Sequence, residues 1–203
     1  MRAARLMPGE DRLRLVDVAA LPGGARARNR IGSKEPQWLP DMPRFNAAER
    51  ETLQHFAASP EFVRRYLCLH WLGKGEGLAA NDGFVLELAE KLAWDHRDEV
   101  CCSALGILGR FLEREPEHVW GAFLRLSASP RPGLLGYLAA FLLEHLLEFD
   151  CDTYLPRVRA RIEAGSWRMA SMLAGSWVLG TAEDHEEEIQ ALLIEHRRLL
   201  RPL

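Results

Sequence analysis

The sequence lacks any long hydrophobic run. No apolar stretch approaches the roughly 20 residues that a membrane-spanning helix needs, so the sequence predicts no membrane span. Residues 1–15 contain basic side chains but no apolar segment, so they predict no secretory signal. The composition, 48% hydrophobic and 27% charged, is that of an ordinary globular chain.

Cysteine is scarce, which excludes a disulfide-rich scaffold, and the spacing of the cysteines excludes a CxxC motif. The four cysteines, Cys68, Cys101, Cys102 and Cys151, form no CxxC pair and are too few for a disulfide-rich scaffold. Free cysteine packs as a small hydrophobic residue. We therefore expect reduced thiols, most of them in the core, and a cytoplasmic location.

The chain also lacks the short motifs of common enzymes. No HExxH, GxSxG or dinucleotide-binding pattern occurs, so we expect no catalytic residues, no metal and no cofactor. His145 and Glu148 have the spacing of some helical metal ligands, but a second such pair is missing, which favours a hydrogen-bonded core histidine. Asp95–Asp98 could supply an acid and a base, but its position between two helices favours a capping turn.

Charge divides the chain in two. Residues 1–45 contain nine Lys and Arg against five Asp and Glu, whereas residues 46–203 contain seventeen against twenty-four. We predict an irregular basic N-terminal arm over residues 1–45, packed on a helical-repeat domain over residues 46–203. The arginines of the arm could contact nucleic acid or an acidic partner, or could simply be solvated. The acidic body makes nucleic acid an unlikely partner.

The domain opens with two predicted helices. Asn46 and Glu49 have the spacing of a capping box, which predicts a helix that runs to about Ser59. Pro60 then fits the first turn of a second helix. Its predicted inner face comprises Phe62, Tyr66, Leu69 and His70. The glycine-rich segment 73–77 lacks the spacing of a phosphate-binding loop and is predicted to connect helices.

Residues 82–181 predict three further helix pairs. In the second helices, Val100, Leu134 and Met169 share one register position. Two more sets follow in the same register: Ala104, Leu138 and Leu173, then Leu108, Leu142 and Trp177. The offsets are 34 and 35 residues, a period typical of stacked helical hairpins. A final helix from Thr181, with Asp184 at the capping-box position, is predicted to close the stack.

This pattern resembles HEAT repeats. The opening of the second helix of the first pair, Asp98-Glu99-Val100 followed by Ala104-Leu105, is similar to the HEAT signature. Later pairs depart from it, because Pro132-Gly133-Leu134 and Arg168-Met169 lack the acidic residue, and the units are short for HEAT repeats. The resemblance covers roughly residues 82–180. It implies an all-α fold, a right-handed α-solenoid of antiparallel helix pairs with about nine helices, and a role in protein binding.

Three functions are compatible with such a scaffold. The first is a protein–protein interaction module, a small acidic adaptor or a toxin-neutralising immunity-type protein, monomeric or weakly dimeric. Its concave face would be lined by Glu99, Ser103, Arg110, Arg168 and Ser171. The alternative is a nucleic-acid-binding protein or an enzyme similar to the DNA glycosylases, which would need a basic groove with Trp94 or Trp167 beside Asp98. A dimeric regulator is disfavoured, because residues 1–45 are too rich in Gly and Pro for a helix-turn-helix.

Overall fold

The computed structural model describes residues 45–75, 82–131 and 133–203. These residues form an all-α structure, and no strand occurs among them. The predicted N-terminal arm, apart from Phe45, lies outside the described residues, as does most of the predicted connection after Gly75. The α-helices are α1 (Ala47–Ala57), α2 (Phe62–Gly75), α3 (Asp82–Ala93), α4 (Asp98–Gly109), α5 (Pro116–Ser127), α6 (Leu134–Leu138), α7 (Glu144–Glu163), α8 (Trp167–Gly175) and α9 (Glu186–Glu195).

Shorter helical elements complete the chain. A π-helical turn, Ala139–Leu143, joins α6 directly to α7. The 3-10 helices Gly180–His185 and Arg197–Leu199 flank α9. Internal packing divides the chain into an N-terminal unit, Met1–Gly83, and a C-terminal unit, Phe84–Leu203. Among the described residues, no helix combines the length and the apolar character that a membrane crossing requires.

In the N-terminal unit, α1 begins as the sequence predicts. The Asn46 side chain accepts a hydrogen bond from the Glu49 amide, and the Glu49 carboxylate accepts one from the Asn46 amide, each at 2.9 Å. This capping box satisfies two backbone donors that the first turn of a helix leaves unpaired. The prediction of the first helix start is therefore confirmed.

Helix α2 differs from its prediction in which face is buried. Tyr66 is 45% exposed and His70 is also exposed, whereas Cys68, Leu69 and Leu72 are buried. The prediction of His70 at the core edge is therefore wrong. The helix starts at Phe62 and continues to Gly75, so the predicted loop begins later than the glycines suggested.

A buried arginine explains the start of α2. Arg65 is only 7% exposed, and its guanidinium donates hydrogen bonds of 2.9 Å to the carbonyls of Ser59 and Pro60. These bonds satisfy a charge that would otherwise be costly to bury. In this orientation of α2, Arg65 faces inward and its neighbour Tyr66 faces solvent.

The C-terminal unit buries nearly all of the apolar residues that the helical periodicity placed inside. They include Val85, Leu88, Leu92, Val100, Ala104, Leu105, Leu108, Phe123, Leu126, Leu134, Leu138, Leu142, Leu155, Val158, Ile162, Met169 and Leu173, each at most 3% exposed. Helix α4 packs against α6 and the π turn, and α8 packs against the same two elements. We call these three second helices, α4, α6 with its π turn, and α8, the second-helix layer.

The spacing of leucines explains the π turn. Leu134, Leu138, Leu142 and Leu146 are all buried and recur every four residues. An α-helix has 3.6 residues per turn, so such a row would drift around the helix by about 40° at each step. A π turn, with its i→i+5 hydrogen bonds, takes up the excess and keeps the row facing the core.

Helix α7 breaks at Asp150, where φ is −156° and ψ is 81°. The Asp150 carboxylate accepts a hydrogen bond of 3.0 Å from the Thr153 amide and so caps the segment that follows. The Thr181 hydroxyl accepts from the Cys151 amide at 2.9 Å and donates to the Leu147 carbonyl at 2.8 Å. Thr181, predicted as the start of the final helix, instead lies in the 3-10 helix Gly180–His185, and its hydroxyl bonds both sides of the break in α7.

The register of the second helices fails at one position. Helix α8 ends at Gly175, two residues before Trp177, so the Trp177 indole leaves the buried row and is 73% exposed. Leu108 and Leu142, its counterparts in the register, are fully buried. The prediction that Trp177 faces the core is wrong, because the helix does not reach it.

Candidate binding site

One side of the C-terminal unit is joined by ion pairs between successive first helices. Arg125 of α5 binds Glu90 of α3 through two hydrogen bonds of 2.6 and 2.8 Å. Arg157 of α7 binds Glu117 of α5 at 2.9 Å, and Arg159 of α7 binds Glu188 of α9 at 2.6 Å. The partners are far apart in sequence, so the pairs fix neighbouring helices against one another.

These pairs also shift the protonation of their carboxylates. The hydrogen bond from Arg125 lowers the pKa of Glu90, and the one from Arg157 lowers the pKa of Glu117. Glu90 is half-buried, but its partner Arg125 and both members of the Arg157–Glu117 pair are exposed to solvent, so each pair stabilises the fold by only about 0–1 kcal/mol. Their arrangement assigns this side of the unit a structural role.

The turns between paired helices are joined by two further arginines. Arg131 donates to the Asp95 carbonyl and forms an ion pair with Asp98, both in the preceding pair. Arg168 donates to the carbonyls of Ser127 and Ser129 at 2.8 and 3.0 Å. Asp95–Asp98 thus lies between two helices, as predicted, but it is not a capping turn, because the N-cap residue of α4, Arg97, makes no side-chain capping hydrogen bond.

The π turn is braced by the chain that follows α8. The Ala139 carbonyl accepts from the Glu144 amide in the π pattern, and it also lies 3.3 Å from the Ser176 hydroxyl, whose shorter hydrogen bond, of 2.9 Å, goes to the Met172 carbonyl. The Trp177 amide donates to the Glu144 carboxylate at 3.1 Å. The distorted turn is therefore held from the α8 side.

The opposite side of the π turn is open. A cavity of about 400 Å³ lies between α4 and the π turn. It is lined by Gly106, Gly109, Arg110, Ala140, Phe141 and His145. We call it the α4 groove. Arg110, Ala140 and His145 are exposed, so the groove opens to solvent.

Glycine gives the groove its depth. A β-carbon built at Gly109 would lie 3.3 Å from the Phe141 carbonyl oxygen, closer than most such contacts. One built at Gly106 would meet nothing within 4 Å and would project into open space. Gly109 therefore permits the approach of the π turn to α4, whereas Gly106 leaves part of the groove empty.

Two polar side chains give the groove its chemistry. Arg110 is permanently cationic and carries five N–H donors. His145, predicted as a core histidine, is instead exposed, in the first turn of α7 directly after the π turn. Both favour an anionic or hydrogen-bond-accepting ligand, and Phe141 and the small residues supply apolar contact.

The predicted binding residues are spread over different environments. Glu99 and Arg110 are exposed and Ser103 is half-buried, on α4 or directly after it. Arg168 is half-buried and engaged with the two carbonyls described above. Ser171 is 3% exposed and accepts a hydrogen bond from the Arg201 amide at 2.8 Å, so its side chain cannot line a surface. Of the five, the α4 groove contains only Arg110.

The rest of the groove was missed in the sequence, although a signal was present. Gly106 and Ala140 share a register position, offset by 34 residues, with Gly175 a further 35 residues on. A small residue repeated at one position of each second helix leaves a channel along the layer. This repeat of small residues is visible in the sequence, next to the repeated apolar residues that form the core.

The remaining candidates for chemistry have structural roles. Among the described residues, no group of three or more His, Cys, Asp or Glu side chains could hold a metal ion. Burial raises the pKa of the Cys101 thiol to about 11 and that of Cys151 to about 11, which keeps both thiols protonated and unreactive at neutral pH. The Cys101 thiol donates to the Ala93 carbonyl at 3.2 Å, as a core residue would.

The tryptophans considered for a nucleic-acid site lie at helix ends. Trp94 and Trp167 are 47% and 38% exposed, and the Arg168 guanidinium lies 5.5 Å from the Trp167 ring centre. Asp98 is paired with Arg131. Arg168, beside Trp167, and Asp98 are therefore both used within the fold.

Comparison with known proteins adds no assignment. No protein-family model, no curated protein and no solved structure matches this chain.

Proposed function

We propose that this protein is a protein–protein interaction module of the adaptor or immunity type, and that the α4 groove is part of its binding surface. The observation that carries this proposal is the groove itself, which is open, lined by small and apolar groups, and has one exposed arginine at its edge. Arginine is enriched at residues that dominate protein interfaces. Arg131 and Arg168, at the turns between the helix pairs, are bonded within the fold, so we place the contact surface at the groove.

We further propose a HEAT-like, right-handed α-solenoid for the C-terminal unit. Two observations support it. The second helices pack in chain order, with α6 and its π turn between α4 and α8. The first helices are joined in the same order by the Glu90–Arg125 and Glu117–Arg157 pairs. Neighbour-to-neighbour packing of this kind is the property that defines repeat proteins.

The nucleic-acid alternative receives no support from the charges near Trp94 and Trp167. A nucleic-acid-binding groove would require several cations that face solvent along one surface. Its affinity comes from the counterions that are released when each cation neutralises a phosphate. Arg168, which lies beside the Trp167 ring, donates to two carbonyls, and Arg131 donates to a carbonyl and to Asp98. We therefore propose a single function.

Site-specific crosslinking tests the proposal. A photoreactive benzoylphenylalanine is placed at the exposed position of Ala140, and, in a matched control, at the exposed position of Glu163 at the end of α7. After illumination in a lysate of the source cells, we expect a discrete protein adduct from position 140 and none from position 163. Arg110→Glu in the first variant should reduce that adduct. Equal labelling at both positions, or no adduct with the fold intact, would show that the groove is not an interaction surface.

A further inference from the structure

The last α-helix of the C-terminal unit has one face that remains in solvent. Helix α9 packs against α8 and the preceding 3-10 helix, and its Ile189 and Leu192 are at most 2% exposed. Away from these buried residues, Glu187, Ala191 and Ile194 recur at the spacing i, i+4, i+7, which places them on one face. All three are exposed. Ile194 is 65% exposed, so a large aliphatic side chain projects into solvent from the middle of this face.

Opposite charges stand at the two ends of the same face. Glu187 lies in the first turn of α9, and Arg198 lies in the 3-10 helix directly after it. Both are exposed. Within the part of the chain that the structure describes, no ion pair includes either side chain. We call Glu187, Ala191, Ile194 and Arg198 the α9 face.

The α9 face is complementary to itself. Ala191 and Ile194 lie at equal distances from one point in the sequence, and Glu187 and Arg198 lie at equal distances from the same point. A second copy that is related by a two-fold axis at this point runs antiparallel to the first. It brings its small Ala191 to the level of Ile194, and in the same register it brings its Arg198 to the level of Glu187. A surface that matches itself in this way is the basis of two-fold dimers.

Other arrangements of two such helices match less well. A parallel pair would place Glu187 beside the same residue of the second copy and Arg198 beside its own equivalent, and like charges across an interface are unfavourable. The 10 residues of α9 span only about 15 Å, so the contact is small. Small interfaces are typical of weak, transient association.

We propose that a second copy of this chain docks on the α9 face in the antiparallel register, so that the protein forms a weak two-fold dimer. Ile194 of each copy packs beside Ala191 of the other, and Glu187 of each copy pairs with Arg198 of the other. The α4 groove has no part in this contact. The inference therefore goes beyond the proposed function and does not rest on it.

Charge reversal in the full chain tests the pairing. In sedimentation velocity at low ionic strength, the wild type should shift from monomer toward dimer as the protein concentration is raised to millimolar. Glu187→Arg and Arg198→Glu each place like charges together twice in the dimer, so each should weaken association about tenfold or more. Glu87→Arg is the matched control, because it reverses an exposed charge on α3 and should change association by less than about twofold.

A mixture of the two single variants separates loss of pairing from loss of folding. Glu187→Arg has arginine at both charged positions of the face, and Arg198→Glu has glutamate at both. One copy of each therefore restores two opposite-charge pairs. The equimolar mixture should associate about tenfold more tightly, or better, than either variant alone. Circular dichroism shows that each variant is folded.

Each outcome decides the question. A wild-type chain that stays monomeric at millimolar concentration overturns the inference. A dimer that both single variants keep would mean that two copies meet through another surface, and also overturns it. So does a mixture of folded variants that associates no better than each variant alone. None of these results changes the adduct expected from position 140, so the proposed function and this inference fail separately.

Discussion

At the scale of single residues, His185 is a side chain whose charge links three elements of the described fold. Its Nδ1 lies 3.1 Å from a Glu188 carboxylate oxygen, and its Nε2 lies 3.1 Å from an Asp152 oxygen. The hydrogen bond to Glu188, together with the nearby charge of Asp152, raises the pKa of His185 above its usual value of 6.5. The protonated imidazole thus links the 3-10 helix to α7 and α9.

This link predicts a pH dependence of stability. Because the folded pKa of His185 is raised, its contribution is fully present below about pH 6.5 and is lost as pH rises through the folded pKa. The His185→Gln variant has no imidazole to deprotonate. Between pH 6 and 9, the free energy of unfolding should therefore decrease less in this variant than in the wild type. Urea denaturation across this range measures it, with His145→Gln as the control. A wild-type curve identical to that of His185→Gln would contradict the assignment.

A second prediction at this scale concerns Thr181. Its hydroxyl bonds both the Cys151 amide and the Leu147 carbonyl at the break in α7. Thr181→Val keeps the shape of the side chain but leaves those groups without this partner, so we expect a loss of about 1 kcal/mol in the free energy of unfolding. Thr153→Val, in the same helix, should cost less, because only the Thr153 amide is used at the break. Chemical denaturation compares the two, and an equal loss would contradict the role of the Thr181 hydroxyl.

At the scale of elements, α4 contains a matched pair of glycines. Gly106 lies inside the helix with open space at its β position, whereas Gly109 ends the helix 3.3 Å from the Phe141 carbonyl oxygen. Alanine is favoured over glycine within a helix by about 0.5–1 kcal/mol. We expect Gly106→Ala to stabilise the protein by about that amount and Gly109→Ala to give no gain, because the π turn must shift. Thermal unfolding distinguishes them, and a gain for both would show that the contact with the π turn is not restrictive.

Elements also show which parts of the fold the sequence could predict. Helical periodicity identified the buried rows because the inner residues of α3 to α8 are apolar and regularly spaced. It did not predict the burial of Arg65, which depends on two carbonyls outside its helix. It also did not predict the exposure of Trp177, which follows from the early end of α8. The four-residue leucine spacing contains the signal of the π turn, although helical periodicity alone predicts an ordinary α-helix there.

The candidate site was predicted less well than the fold. Arg110 was identified because it lies beyond the buried row of α4. Ser171 and Arg168 occupy similar positions in sequence, yet one bonds the Arg201 amide and the other donates to the turn of the preceding helix pair. Which polar residues are exposed therefore depends on packing between repeats, and periodicity within one helix does not report that packing.

At the scale of the whole molecule, the C-terminal unit has its own core. Residues such as Val100, Leu138 and Val158 are fully buried, and the helices that bury them belong to this unit. We expect a fragment of residues 82–203, which begins at the start of α3, to fold alone. It should show a cooperative thermal transition by circular dichroism, since a single domain of this size supports a sizeable core. A fragment that melts without a cooperative transition would show that the N-terminal unit is required.

The attachment of residues 200–203 has a consequence for competition at the surface that they cover. A segment tethered a few residues from its site competes there at an effective concentration on the order of millimolar. A free peptide at micromolar concentration would therefore leave Leu203 in place beside Gly175. Shortening the chain before Arg201 should uncover that surface and the Ser171 hydroxyl.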